Sequence, residues 1–140
     1  MFPFIANLGF LIGASLFQLT NYAFINNVKP NLALVLVIFL SLIYNSWLTR
    51  LIFIFTAAVI FKFGSGLELG NVLFILASFI GIYIAENLPA SFLLNFIVAT
   101  LVATSLVNLN HYDIGVVLTE SVYNVILVLG YYSVYKLWQK

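Results

Sequence analysis

Glu120, Tyr123 and Asn124 stand at i, i+3 and i+4 in the last apolar run of the chain, so a helix there carries all three on one face. A carboxyl group at that depth in a membrane costs several kcal/mol unless it is paired, neutralised or hydrogen-bonded. Two chemistries fit such a face. One is a proton or coupling-ion site of the kind transporters build from intramembrane acids. The other is a polar clamp that fixes the helix against its neighbours. The one other acid within an apolar run, Glu86, stands at its very end, so no second acid lies at membrane depth, which weighs against a proton relay.

Other reactive residues are sparse. His111 and Asp113 form an H-x-D, with Glu120 beyond them as a third possible ligand. Nothing in that spacing fixes a coordination geometry, and a loop reading "HYD" fits an interfacial polar tip better than a metal centre. With a single His and no Cys, a Ser or Thr nucleophile would lack an evident base and orienting partner. "KFGSGLELG" (62–70) is Gly-rich, but it joins two apolar runs and does not lead from a strand into a helix, so it is not a phosphate loop. No catalytic residue, metal site or cofactor is expected.

The elements that must position these residues follow from composition. The sequence is 64% hydrophobic and 6% charged, with a mean hydropathy of +1.17. No single soluble core of 140 residues could hide that much apolar surface, so the chain is expected to be one transmembrane domain, all-α, spanning residues 1–140. Its net charge of +1 offers no basic patch for nucleic acid. Without Cys, disulfides and thiolate metal sites are excluded. "MFPFIANLGFLIGASLF" lacks the basic start of a signal peptide and is expected to be a retained first span.

Polar and turn-forming residues divide the chain into six short apolar runs, 4–24, 31–46, 48–63, 70–86, 90–108 and 114–136. "NSWLTR" (45–50) is the weakest break, having neither Pro nor Gly. Residues 31–63 read either as two spans or as a bent helix with a re-entrant piece. An even number of spans places both termini on one side. That side carries Arg50, Lys136 and Lys140 against Lys29 and Lys62 opposite, so the positive-inside rule puts it in the cytoplasm. On this topology Lys62 and Glu120 share one half of the bundle, and Arg50 and Glu86 share the other face. Two ion pairs are therefore expected, Lys62–Glu120 and Arg50–Glu86.

Small residues recur every four positions. Gly9 and Gly13 form a G-x-x-x-G, continued by Ala6 and Phe17; Ala77, Gly81 and Ala85 repeat the spacing, as do Asn95, Ala99 and Ala103. Such stripes let helix backbones approach closely inside a bilayer. Either they face one another within the bundle, or one of them, most naturally the first, receives the helix of another protein. No internal repeat is evident.

In order and spacing, the chain resembles the MreD family of rod shape-determining membrane proteins. A first span ends in a Gln-containing stretch, "FQLTNYAF", and Lys29-Pro30-Asn31-Leu32 opens an aliphatic second span. Ser65, Gly66 and Gly70 match the family's Gly-rich loop, although Lys62 stands where the family carries Asp. Glu120 and Asn124, followed by the tail "KLWQK", match its final span. The resemblance implies a non-enzymatic scaffold in the bacterial cytoplasmic membrane. It would sit beside an MreC-like protein and link MreB filaments indirectly to RodA and a penicillin-binding protein. Its available mechanism is helix-to-helix contact within the bilayer.

A second function class remains open, the substrate-binding membrane subunit of an energy-coupling-factor (ECF-type) importer. It requires a cavity, for which Trp47, His111 and Tyr112 are candidate linings, and a coupling surface such as Ala77–Gly81–Ala85. A closed polar cavity would favour the importer; a lipid-exposed groove of small residues would favour the scaffold.

Overall fold

The computed structural model describes residues 2–20, 28–65, 68–111 and 113–138. Gly66, Tyr112 and Lys140 lie outside them. The described residues form six α-helices: α1 (Phe2–Gln18), α2 (Leu32–Ile43), α3 (Trp47–Ser65), α4 (Leu69–Asn87), α5 (Phe92–Val107) and α6 (Ile114–Trp138). A short 3-10 turn, Asn108–His111, extends α5. Three stretches are long and apolar enough to cross a membrane: Leu69–Asn87, Phe92–Asn110 and Ile114–Trp138.

Consecutive helices run antiparallel. Asn7, near the start of α1, donates to the Tyr44 hydroxyl just past the end of α2. Arg50, in the first turn of α3, pairs with Glu86 in the last turn of α4. Phe92 at the start of α5 stacks on Tyr135 near the end of α6. The first and last helical residues thus share one end, called here the Arg50 end; Glu120 lies toward the other.

The core is built around α2. Its residues Ala33 to Ser41 are all buried, and it packs against each of the other five helices. Only 12 residues long, it rises about 18 Å. Being apolar all round apart from Ser41, it suits a fully enclosed position. Leu11, Phe53, Phe74, Phe96 and Val128 close over it from the surrounding helices.

Within 45–50 the helix is broken only up to Ser46: the chain leaves α2 after Ile43 and enters α3 at Trp47, so two separate helices replace the bent-helix alternative. With no Pro or Gly to make it, the turn is held by the Arg50 side chain. Its Nε donates to the Ser41 carbonyl at 3.0 Å and the Tyr44 carbonyl at 2.9 Å, satisfying acceptors that the end of α2 leaves open. A cation there also suits the negative end of the helix dipole. The first span is shorter than its apolar run 4–24, because α1 ends at Gln18.

Candidate functional site

A buried polar clamp joins α1, α2, α5 and α6 in the Glu120 half of the bundle. Asn31 is the N-cap of α2: its side-chain Oδ1 accepts from the Leu34 N–H at 3.1 Å. Asn-type caps answer one of the open donors at a helix start. The backbone N–H of Asn31 donates to Asn124 Oδ1 at 2.8 Å, and that of Leu32 donates to Gln18 Oε1 at 3.1 Å. Two more donors of the α2 start are thereby answered from other helices. Lys29 caps α1 in turn, its ammonium donating to the Gln18 and Thr20 carbonyls.

The same clamp continues into α5. Asn124 Nδ2 donates to Thr104 Oγ1 at 2.8 Å, and Thr104 Oγ1 donates to the Thr100 carbonyl at 2.8 Å. Asn108 Nδ2 is shared between the Thr104 carbonyl at 2.9 Å and Glu120 Oε2 at 2.8 Å. The amides of Asn31 and Asn124 also face the Glu120 carboxyl. Asn124 is 0% exposed and Glu120 8% exposed, so both act inside protein and not in lipid. Tyr123 is half-buried on the same helix.

Glu120 therefore meets amides and not the expected cation. Lys62 is exposed in the last turn of α3, and no Lys62–Glu120 ion pair forms among the described residues. The reason is the order of helices in space. Both side chains do sit in the same half of the bundle, but α3 packs on α1, α2 and α4 while α6 packs on α5 and α2. The buried α2 stands between them.

At the opposite end the expected Arg50–Glu86 pair is present, with 2.5 Å between Nη2 and Oε1. Arg50 is 2% exposed and lies 5.1 Å from the Trp47 ring centroid, while the Glu86 side chain remains 33% exposed. With its bonds to the Ser41 and Tyr44 carbonyls, Arg50 thus ties the end of α2, the start of α3 and the end of α4 into one layer.

The small-residue stripes divide between two uses. Ala77, Gly81 and Ala85 are buried, and a Cβ at Gly81 would lie 2.9 Å from Ile38 Cδ1 and 3.3 Å from Ala103 Cβ. Ala99 and Ala103 are buried on α5. These residues serve packing within the bundle, so the expectation that Ala77, Gly81 and Ala85 meet a partner's helix or a coupling subunit is corrected. Gly9 and Gly13 behave differently: both are exposed, and a Cβ at either would meet nothing within 4 Å. Beside them a shallow groove between α1 and α3 is lined by Ile12, Ile52, Phe55, Thr56, Val59 and Ile60.

The remaining candidates separate. Asp113 caps α6, its Oδ1 accepting from the Gly115 N–H at 2.8 Å and the Val116 N–H at 3.3 Å. Among the described residues no three His, Cys, Asp or Glu groups gather as a metal site. Trp47 stacks on Phe79 at the Arg50 end, whereas His111 ends the 3-10 turn at the opposite end. They cannot line one cavity. Ser65 ends α3 and Gly70 opens α4, with Gly66 beyond description.

Thr104 and Asn108 are the clamp members that sequence reasoning missed. Their spacing of four puts them on one face of α5, but polar residues near a helix end also read as an ordinary boundary. Comparison of the chain with family models, with curated proteins and with solved structures finds no match.

Proposed function

We propose that this protein is a non-enzymatic scaffold of the bacterial cytoplasmic membrane, of the MreD kind, that holds an MreC-like partner through its α1 face. The observation that carries the reading is the joint fate of Gln18, Lys29, Asn31, Glu120 and Asn124. All five are residues on which the resemblance rests, and all are spent on one another or on helix ends in a single clamp. A site built to bind and release a solute would leave polar groups turned toward a cavity. This arrangement instead rigidifies four helices. A fixed frame with an outward Gly9–Gly13 face suits a protein whose work is to hold another helix.

Within that reading the Arg50 end faces the cytoplasm, and the partner's span lies along α1 where backbones can come close. The partner's extracellular part would then be placed by the rigid frame, in reach of the peptidoglycan synthases.

The test is affinity purification from native membranes with mass spectrometry, for the natural chain and for Gly9→Leu. Recovery of MreC-like or RodA-like proteins with the natural chain, and their loss with Gly9→Leu at unchanged helical content, is the expected result. Recovery of an ATPase with a transmembrane coupling subunit would overturn the scaffold in favour of the importer.

A further inference from the structure

The apolar belt of the bundle is not the same height all the way round. On α1 the described apolar stretch Pro3–Gln18 is about 24 Å long at the helical rise of ~1.5 Å per residue, and it gives way to polar groups where Lys29 meets the Gln18 and Thr20 carbonyls. On α3 the belt runs from Trp47, an aromatic 48% exposed near the Arg50 end, to the exposed Lys62, also about 24 Å. These two helices pack against each other and share the apolar groove that holds Ile12, Phe55 and Val59. The low belt is therefore one continuous flank.

Across the bundle, α6 exposes Ile114, Leu118, Val122, Ile126, Leu129 and Val134 between Asp113 and Lys136. From Ile114 to Tyr135 this belt is about 33 Å high. A typical hydrocarbon core is about 30 Å, which α6 matches and the α1–α3 flank does not. Tilting α6 alone to the height of α1 would require about 40°, the extreme for membrane helices. Nor can α1 lengthen its belt by extending a charged side chain. Lys29 is held on the Gln18 and Thr20 carbonyls, and the Gln18 amide oxygen is held by Leu32 N–H.

We infer that the protein thins the bilayer on its α1–α3 flank and takes short-chain phospholipid there, while its α6 flank sits in membrane of ordinary thickness. The inference needs only that the bundle spans a membrane, and it stands apart from the scaffold reading.

The chain has no Cys, so single-cysteine variants label cleanly. Val59→Cys reports on the thin flank and Ile126→Cys on the thick one; both positions are more than half exposed. Each labelled full-length protein is placed in vesicles holding equal amounts of short- and long-chain phosphatidylcholine, about 14 and about 20 carbons per chain, with one or the other carrying a bromine quencher. The expected result is quenching at Val59→Cys by the short lipid at least about twofold above its share, with no such preference at Ile126→Cys. Adding Lys62→Leu, which raises the α3 belt by removing an exposed charge, should shrink the preference at position 59. Equal quenching by both lipids at position 59, or the same preference at both positions, would overturn the inference. Far-UV circular dichroism confirms that each labelled variant keeps its helices.

Discussion

Asn124 is the residue whose loss should cost the clamp most. Its side chain accepts from the Asn31 N–H and donates to Thr104 Oγ1, both at 2.8 Å and fully buried. Asn124→Leu keeps much of the volume and removes both bonds, along with one of the three amides that face Glu120. The consequences differ for the two partners. Thr104 still donates to the Thr100 carbonyl, so it loses only an acceptor contact, worth about 0.6 kcal/mol in membrane bundles. The Asn31 N–H has no such second outlet, and an orphaned buried donor costs about 1–3 kcal/mol. Asn124→Leu should therefore destabilise the bundle by about 2–3 kcal/mol. Asn124→Ala adds a cavity and should cost roughly 1 kcal/mol more. Thr104→Val, which leaves the Asn31–Asn124 bond in place, should cost about 1 kcal/mol or less. Reversible unfolding by sodium dodecyl sulfate in mixed micelles, followed by far-UV circular dichroism, gives all three values. A cost below about 0.5 kcal/mol for Asn124→Leu would refute the clamp, as would a Thr104→Val cost equal to it.

The other expectations are compact. Arg50→Met should cost about 2–4 kcal/mol, because it orphans the Ser41 and Tyr44 carbonyls, while Glu86→Gln should cost about 1 kcal/mol or less, its carboxylate being part exposed; the same unfolding assay separates them. Lys62→Ala should be nearly neutral, and a double-mutant cycle with Glu120→Gln should return a coupling near zero, since the two residues do not meet. Gly81→Leu should be severely destabilising and partly rescued by Ile38→Ala, whereas Gly13→Ala should be neutral or slightly stabilising; thermal melts in detergent check both.

How much of this was legible in the sequence depended on the kind of signal. Spans announce themselves by composition, and the six apolar runs each became a helix, with their ends moved where a side chain intervened. The clearest case is 45–50, where no Gly or Pro marks the turn because a long-range agent, the Arg50 guanidinium, completes it. The Arg50–Glu86 pair was readable because α3 and α4 are consecutive and antiparallel, which leaves few places for two charges at one end to go. Lys62 and Glu120 obeyed the same depth rule and still failed to meet. Depth follows from counting residues along each span, but the circular order of helices in a bundle does not. Stripes of small residues were equally ambiguous: Gly81 and Gly9 look alike in sequence, and only packing distinguishes the enclosed one from the open one.

The enclosed position of α2 bears on how the chain is made. During synthesis α2 emerges before α4, α5 and α6, the helices that later surround it. It must first rest in lipid before α4, α5 and α6 can cover it, and with Ser41 as its one polar side chain it is well suited to do so. Its uniform apolarity therefore answers to the moment of insertion as much as to the finished core. The donors at its start tell the other half of the story, because Asn31 N–H has to wait for Asn124, 93 residues downstream, before it is answered by its final acceptor. The sixth helix, made after the other five, is the one that locks the second into place.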